Sequence, residues 1–424
     1  MWARLRDSAA TYVLLAIPIA LALWFAWGFV APPPPRTLAM AVGQAGGAYW
    51  QVAERYREAL AREGITLLLI ETAGAVENIA LIESGRAALG FAQAGAVPQR
   101  EDGRVVSLGA VFPEAVWLFR RFAPSVERIS DLAGKRVAIG PEGSGTRALA
   151  LDLLAASGVG ADGATLLALS GAPAAEALEA GSIDAVLFVA ARPSGTIRRL
   201  LATDGITLAD VGNRAEAYLA AFPYLTAVTL FAGSVDLAED LPRESATLLA
   251  PVAELAAVRD IHPRIVALMM DILAATHRGR SLFAPPGKFP NDLQADLPIQ
   301  PDAARWYQQG PSFLQRVAPF WVAVWIDRMW VLLIPLLTVG LPLLRFAPSV
   351  VRWQSERRIY RWYRTLRTAE RALADPGADR AGILAELARL EERLDRLSVP
   401  MAYMRHLYHL REHLQLVRAR AGES

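Results

Sequence analysis

The glycine-centred turns at Gly46-Gly47, Thr72-Ala73-Gly74 and Gly85 return as Gly143-Ser144, Ser170-Gly171 and Gly181, offset by 97, 98 and 96 positions. Each set punctuates the same alternation of short apolar runs and helical patterns. The first copy reads as strand Leu38 to Val42, helix Tyr49 to Glu63 closed by Gly64, strand Ile65 to Ile70, helix Val76 to Ser84, and strand Ala88 to Gln93. The second reads as strand Val137 to Ile139, helix Arg147 to Ala156 closed by Gly158, strand Leu166 to Leu169, helix Ala174 to Ala180, and strand Ala185 to Val189. Such alternation buries its apolar faces only as a largely parallel sheet covered by helices. The spacing therefore predicts two βαβαβ lobes. Open α/β sheets bind ligands at the carboxyl ends of their strands, which is where the glycine turns fall, so a cleft between the lobes is expected.

Gly140-Pro141-Glu142-Gly143-Ser144-Gly145-Thr146-Arg147 joins the strand ending at Ile139 to the helix after it. Glycine allows close backbone approach, and Ser144 or Thr146 can cap the helix while other amides point outward at the positive end of its dipole. A turn of this kind suits an anion. Without Lys after the last Gly it is not a P-loop. Between the copies, Val111 to Arg121 reads as a strand crossing from one lobe to the other, and Leu225 to Phe231 as the strand crossing back. Residues 241–320 read as helical stretches, Ala246 to Val258 and Pro263 to Thr276, among Pro-rich loops.

The chain of 424 residues is 54% hydrophobic with mean hydropathy +0.27, high for a wholly soluble protein. Residues 13–30 carry no charge and follow Arg4 and Arg6. Bulky Trp27, Phe29 and Val30 before Pro32 to Pro35 favour an uncleaved anchor over a cleaved signal, with the prolines as a stiff spacer. Met329 to Leu344 is a second uncharged apolar run, read as a second span. Arg352, Arg357, Arg358, Arg361, Arg364 and Arg367 follow it. Both basic clusters then lie in the cytoplasm and the main domain lies in the periplasm, outside a bacterial inner membrane. The expected boundaries are 1–35 for anchor and spacer, 36–118 for lobe one, 119–224 for lobe two, 225–325 for the return to lobe one and further helices, 326–346 for the second span, and 347–424 for the tail.

In the tail, Ile383, Leu387, Leu390, Leu394 and Leu397 step by four and three, a coiled-coil-like seam, and Asp375-Pro376-Gly377 and Val399-Pro400 divide it into three helices. The pattern predicts a helical hairpin or a self-association device. His406, His409 and His413 share a helix face and read as a polar or lipid-facing stripe before a metal site. The absence of Cys excludes disulfides and thiolate chemistry, and the net charge of +2 argues against nucleic acid.

Gly43-Gln44-Ala45-Gly46-Gly47-Ala48-Tyr49-Trp50, Glu71-Thr72-Ala73-Gly74-Ala75-Val76-Glu77-Asn78, Gly90-Phe91-Ala92-Gln93, Asp131-Leu132-Ala133-Gly134-Lys135-Arg136-Val137 with the turn after it, and Gly181-Ser182-Ile183-Asp184-Ala185 together resemble the TAXI-type solute receptors of TRAP transporters. The resemblance covers about residues 36–235. It implies an α/β, two-lobed periplasmic binding protein type II fold, here flanked by two transmembrane helices and a C-terminal all-α cytoplasmic tail. It further implies capture of a small anionic solute (a dicarboxylate, 2-oxo acid or amino acid), delivery to a TRAP-type permease, and no cofactor or metal. By the family pattern Gly47, Tyr49, Thr72, Asn78, Gln93, Ser144, Gly145 and Thr146 fall at or beside the ligand-facing loops. Asn78 also reads as a brace of its own helix, Asp184 as a turn residue, and Arg147 as a surface charge. Ala75 stands where the family usually has Ser, and Ala94 where it has a polar residue. A membrane-tethered sensor or scaffold that signals or assembles through the tail is the alternative. No triad or paired carboxylates are placed by motif, so the sequence gives no support for an enzyme.

Overall fold

A computed structural model of the chain describes residues 16–30, 32–96, 103–121, 128–160, 162–373, 379–395 and 404–422. They form two units, Pro33–Val324 and a second made of the two chain ends.

Helix α1 (Ala16–Trp27) is short and apolar. The first unit begins with β1 (Thr37–Ala41), α2 (Ala48–Arg62), β2 (Thr66–Ile70), α3 (Ala75–Glu83), β3 (Leu89–Gln93) and β4 (Val105–Pro113). It continues through β5 (Ala115–Arg120), β6 (Arg136–Ala138), α4 (Gly145–Ala156), β7 (Thr165–Leu167), α5 (Gly171–Glu179) and β8 (Ala185–Ala190). Then come α6 (Gly195–Ala202), β9 (Thr207–Leu208), α7 (Ala215–Ala221), β10 (Leu225–Leu230), β11 (Ala246–Val258), α8 (Pro263–His277), α9 (Pro301–Gln309) and α10 (Phe313–Val317). The last helices are α11 (Phe320–Leu373), α12 (Arg380–Asp395) and α13 (Met404–Gly422).

The duplication is real at the level of strand order. β1 pairs in parallel with β2 and β3, and β6 pairs in parallel with β7 and β8. Each copy therefore places its first strand between its second and third, in two separate sheets. Alternate side chains of β5 go to opposite faces: Val116 and Leu118 pack with α4, while Ala115, Trp117 and Phe119 join a cluster with α5 and α6. Burial of both faces explains why this strand reads as a continuous apolar run.

The chain leaves the first sheet and enters the second at Glu114, between β4 and β5. The return differs from the sequence reading. Ala246 to Val258, read as a helix, is the strand β11, and β11 rather than β10 carries the chain back. Its first half pairs with β10, and its second half pairs with β3 and β4. Ala and Leu favour helix, but Pro251 in mid-segment would cost a helix about 3 kcal/mol. The fully buried slot between β3 and β4 suits small side chains such as Ala253, Ala256 and Ala257.

In α11 the 24-residue stretch Phe320–Leu343 reaches a mean hydropathy of 1.8 over an 18-residue window, and among the described helices it is the one long and apolar enough to cross a membrane. It contains all but the last residue of the expected run Met329 to Leu344. Of the expected first span, residues 13–15 lie outside the described residues, as do Arg4 and Arg6. The tail seam is filled from within: Leu387, Leu390 and Leu394 of α12 bury against Leu407, Leu410 and Leu414 of α13 and Leu366 of α11. Self-association is not needed to cover that seam. Leu397 and the breaks at 375–377 and 399–400 lie outside the described residues. His413 meets the Tyr363 ring and sits 3.8 Å from Glu370, and His409 sits 3.6 Å from Glu412.

Candidate functional site

Between the two sheets lies a cavity of about 170 Å³ whose lining includes Gly47, Gly74, Ser144 and Ser170. These four residues are the N-caps of α2, α3, α4 and α5. The positive dipole ends of all four crossover helices thus face one space. Three of the caps, Gly47, Gly74 and Ser170, return no side-chain bond to the first helical amides. At the fourth, the Ser144 hydroxyl accepts from the Arg147 amide at 3.2 Å and donates to the Pro141 carbonyl at 2.7 Å. Its oxygen is spent on the turn.

Of the residues expected from the sequence, Gly47, Tyr49, Gln93, Ser144, Gly145 and Thr146 line the cavity. Thr72 and Asn78 lie beneath it. The Thr72 hydroxyl accepts from the Gly43 amide at 3.0 Å and donates to Asn78 Oδ1 at 2.6 Å, and Asn78 Nδ2 donates to the Phe91 carbonyl at 2.9 Å. Both side chains are buried, so they brace the loop after β1 against α3 and β3. Ala75 lines the cavity where a hydroxyl would have faced it, whereas Ala94 is buried in the sheet, its amide donating to the Val252 carbonyl. Asp184 holds Arg136 through paired bonds of 2.8 and 3.1 Å and anchors a strand end away from the cavity.

Sequence reasoning missed Glu114. It lines the cavity, is only 3% exposed, and accepts from the Tyr49 hydroxyl at 2.7 Å. Tyr49 is itself fixed by stacking on Phe91 at 4.7 Å. Burial pushes the Glu114 carboxyl up to about 8, against the opposing pull of the Tyr49 bond. Near neutral pH this favours the protonated, uncharged form of the acid. The available signal was one carboxylate inside the apolar run Val111 to Phe119. Among the described residues no Lys or Arg lines this cavity. An anion here meets helix amides and a neutral acid, with no side-chain cation.

The lobes touch across the cavity mouth. Gln93 Nε2 of β3 donates to the Gly145 carbonyl of α4 at 3.1 Å, and the Glu77 amide of α3 approaches the Gly143 carbonyl at 3.4 Å. Gly74 adopts φ +145°, and a Cβ there would stand 3.2 Å from the Ser144 Cα. Only glycine combines that backbone with that approach. The Glu114 amide bonds the Pro251 carbonyl at 2.9 Å, tying the two strands together where the chain passes between the sheets.

The profile of the NMT1-like family matches residues 40–243, slightly under half of the chain. Solved structures with partial likeness include the periplasmic aliphatic sulphonate binding protein SsuA from Escherichia coli, 16% identical over 57% of this chain and 73% of its own, TM-score 0.36. The alkanesulfonate-binding protein SsuA from Xanthomonas axonopodis pv. citri, bound to MOPS, is 20% identical over 58% of this chain and 74% of its own, TM-score 0.35. A histidine kinase sensor domain with similarity to periplasmic binding proteins is 16% identical over 57% and 90%, TM-score 0.37. Scores this low leave the fold to be read from the sheets themselves.

Proposed function

We propose that the chain is a membrane-anchored extracytoplasmic receptor that captures a small carboxylate by closing two lobes on it. The observation that carries this reading is the convergence of four helix N-termini on one interlobe cavity at a two-strand hinge. Amides and dipoles supply the anion's partners, and the neutral Glu114 adds a donor without repelling the guest. A space of about 170 Å³ has room for on the order of five water-sized groups. A small carboxylic acid suits a space of that size better than a drug-sized ligand. Binding draws the lobes together because the closed form contacts the guest from both sides.

The exposed apolar face of Phe320–Leu343 supports anchoring, and the sequence resemblance supports delivery to a TRAP-type permease. The test is thermal unfolding of the full chain in detergent with a panel of 2-oxo acids, hydroxy acids, amino acids, dicarboxylates and sulfonates. A ligand at 100 times its Kd stabilises by about 2.7 kcal/mol. No stabilisation by any carboxylate at millimolar concentration would overturn the proposal.

The sensor reading draws on one contact. α2 starts at the cavity, and at its far end the Glu63 carbonyl accepts from Trp321 Nε1 at 2.7 Å, in the first turn of α11. Isolation of the chain from membranes distinguishes the two readings: a multi-spanning permease recovered with it supports transport, and signalling proteins alone support sensing.

A further inference from the structure

A second cavity, of about 640 Å³, lies at the other end of α2. It is a groove between α2 and α8, closed by the segment 318–323 where α11 begins. Its size is that of a small-molecule site. Leu268 and Phe320 give it apolar walls, and Arg55, Glu58, Arg62 and Arg264 line it. Arg55, Glu58 and Arg62 are exposed, and no hydrogen bond or ion pair among the described residues engages them. At spacings of three and four they share one helix face, so two guanidinium groups flank one carboxylate. Asp271, also in the lining, is already occupied by Trp306 Nε1 at 3.1 Å and Gln315 Nε2 at 3.4 Å.

Guanidinium forks match phosphate oxygens, and a carboxylate between them matches an ammonium. Apolar walls beside that charge pattern suit the glycerol and first methylenes of a lipid. The apolar stretch of α11 opens at Phe320, and Trp321 lies beside it with Arg36 over its ring at 5.0 Å, an aromatic and basic arrangement suited to a membrane interface. We propose that this groove seats a phosphatidylethanolamine headgroup, its phosphate between Arg55, Arg62 and Arg264 and its ammonium against Glu58. The inference rests on the reading of α11 as a membrane span.

The experiment uses the full chain in nanodiscs of phosphatidylcholine alone, or with phosphatidylethanolamine or phosphatidylglycerol added, followed by native mass spectrometry of retained lipid. Wild type is expected to keep phosphatidylethanolamine over the other two. R55Q/R62Q should lose retention at least tenfold, and E58Q should lose the preference for ethanolamine while still retaining phosphatidylglycerol. These exposed positions leave the core untouched, and unchanged melting of each variant checks that. Equal retention by wild type and R55Q/R62Q, or equal retention of phosphatidylglycerol and phosphatidylethanolamine by wild type, overturns the proposal. So does loss of a co-purifying protein in place of lipid from R55Q/R62Q. Extraction of wild type from membranes by alkaline carbonate separates the two levels: a released chain defeats the spanning reading, whereas a retained chain with equal lipid retention defeats the groove alone.

Discussion

Glu114 sits where the chain passes between sheets, and its buried carboxyl makes stability depend on pH in a definite direction. An unfolded Glu titrates near 4.3, while the folded group is held up to about 8, so the folded chain keeps a proton that the unfolded chain has lost. Stability therefore falls as pH rises between those values and levels off above about 8. Glu254, raised by burial to about 7, acts in the same direction. His277, lowered to about 3 by burial, acts oppositely and only below about 6.5. Below about 7 Glu254 adds its own decline, so the clean window is pH 7 to 8. There Glu114→Gln should flatten the decline in urea-unfolding free energy, which for one proton has a limiting slope of about 1.4 kcal/mol per pH unit. An anionic guest favours protonated Glu114 still more, so solute affinity should fall above pH 8 in wild type and hold in the variant, as read by calorimetry. Gln93→Ala removes the bond to Gly145 across the cavity and should weaken solute binding by about fivefold, the equivalent of about 1 kcal/mol. Tyr49 and Gln93, placed beside the cleft by the family resemblance, do line the cavity. Bracing was already one reading of Asn78, whereas Thr72 was not separable from them, since only packing shows that its hydroxyl faces Asn78.

At the scale of elements, β11 shows what local preference cannot decide. A segment rich in Ala and Leu becomes the central strand because β3, β4 and β10 supply backbone partners along its whole length. Trp321 shows how an element is tied down at its end, with its ring under Arg36 and its Nε1 on the Glu63 carbonyl. Trp321→Ala should lower the stability of the first unit by about 1–2 kcal/mol, measured by thermal unfolding of the full chain. Within the chain-end unit, Leu394 is fully buried between α12 and α13. Leu394→Ala should cost that bundle about 2–5 kcal/mol, and hydrogen exchange should quicken in α12 and α13 while the α/β sheets keep their protection.

For the whole molecule, closure is the property to test. Gly74→Val adds bulk against the Ser144 backbone at a φ that valine avoids, so the lobes should be propped apart. Small-angle scattering in the presence of a binding solute should then show no contraction, and affinity should drop at least tenfold. Topology is testable because the chain has no Cys. A single Cys at Gly160 should react with an impermeant maleimide on spheroplasts, and one at Arg389 only after the membrane is permeabilised.

The duplicated spacing of turns was enough to specify two βαβαβ units, because a period that alternates apolar runs with helices has few ways to bury itself; the strand order within each sheet came only from the pairing in the structure. Hydropathy alone was likewise enough to find the apolar stretch of α11. The identity of the returning strand, the inward facing of Thr72 and Asn78, and the uncharged state of Glu114 depended on groups brought together from distant parts of the chain. Desolvation and hydrogen bonding act between neighbours in space. A carboxylate in an apolar run reads as a surface charge until the second lobe closes water out.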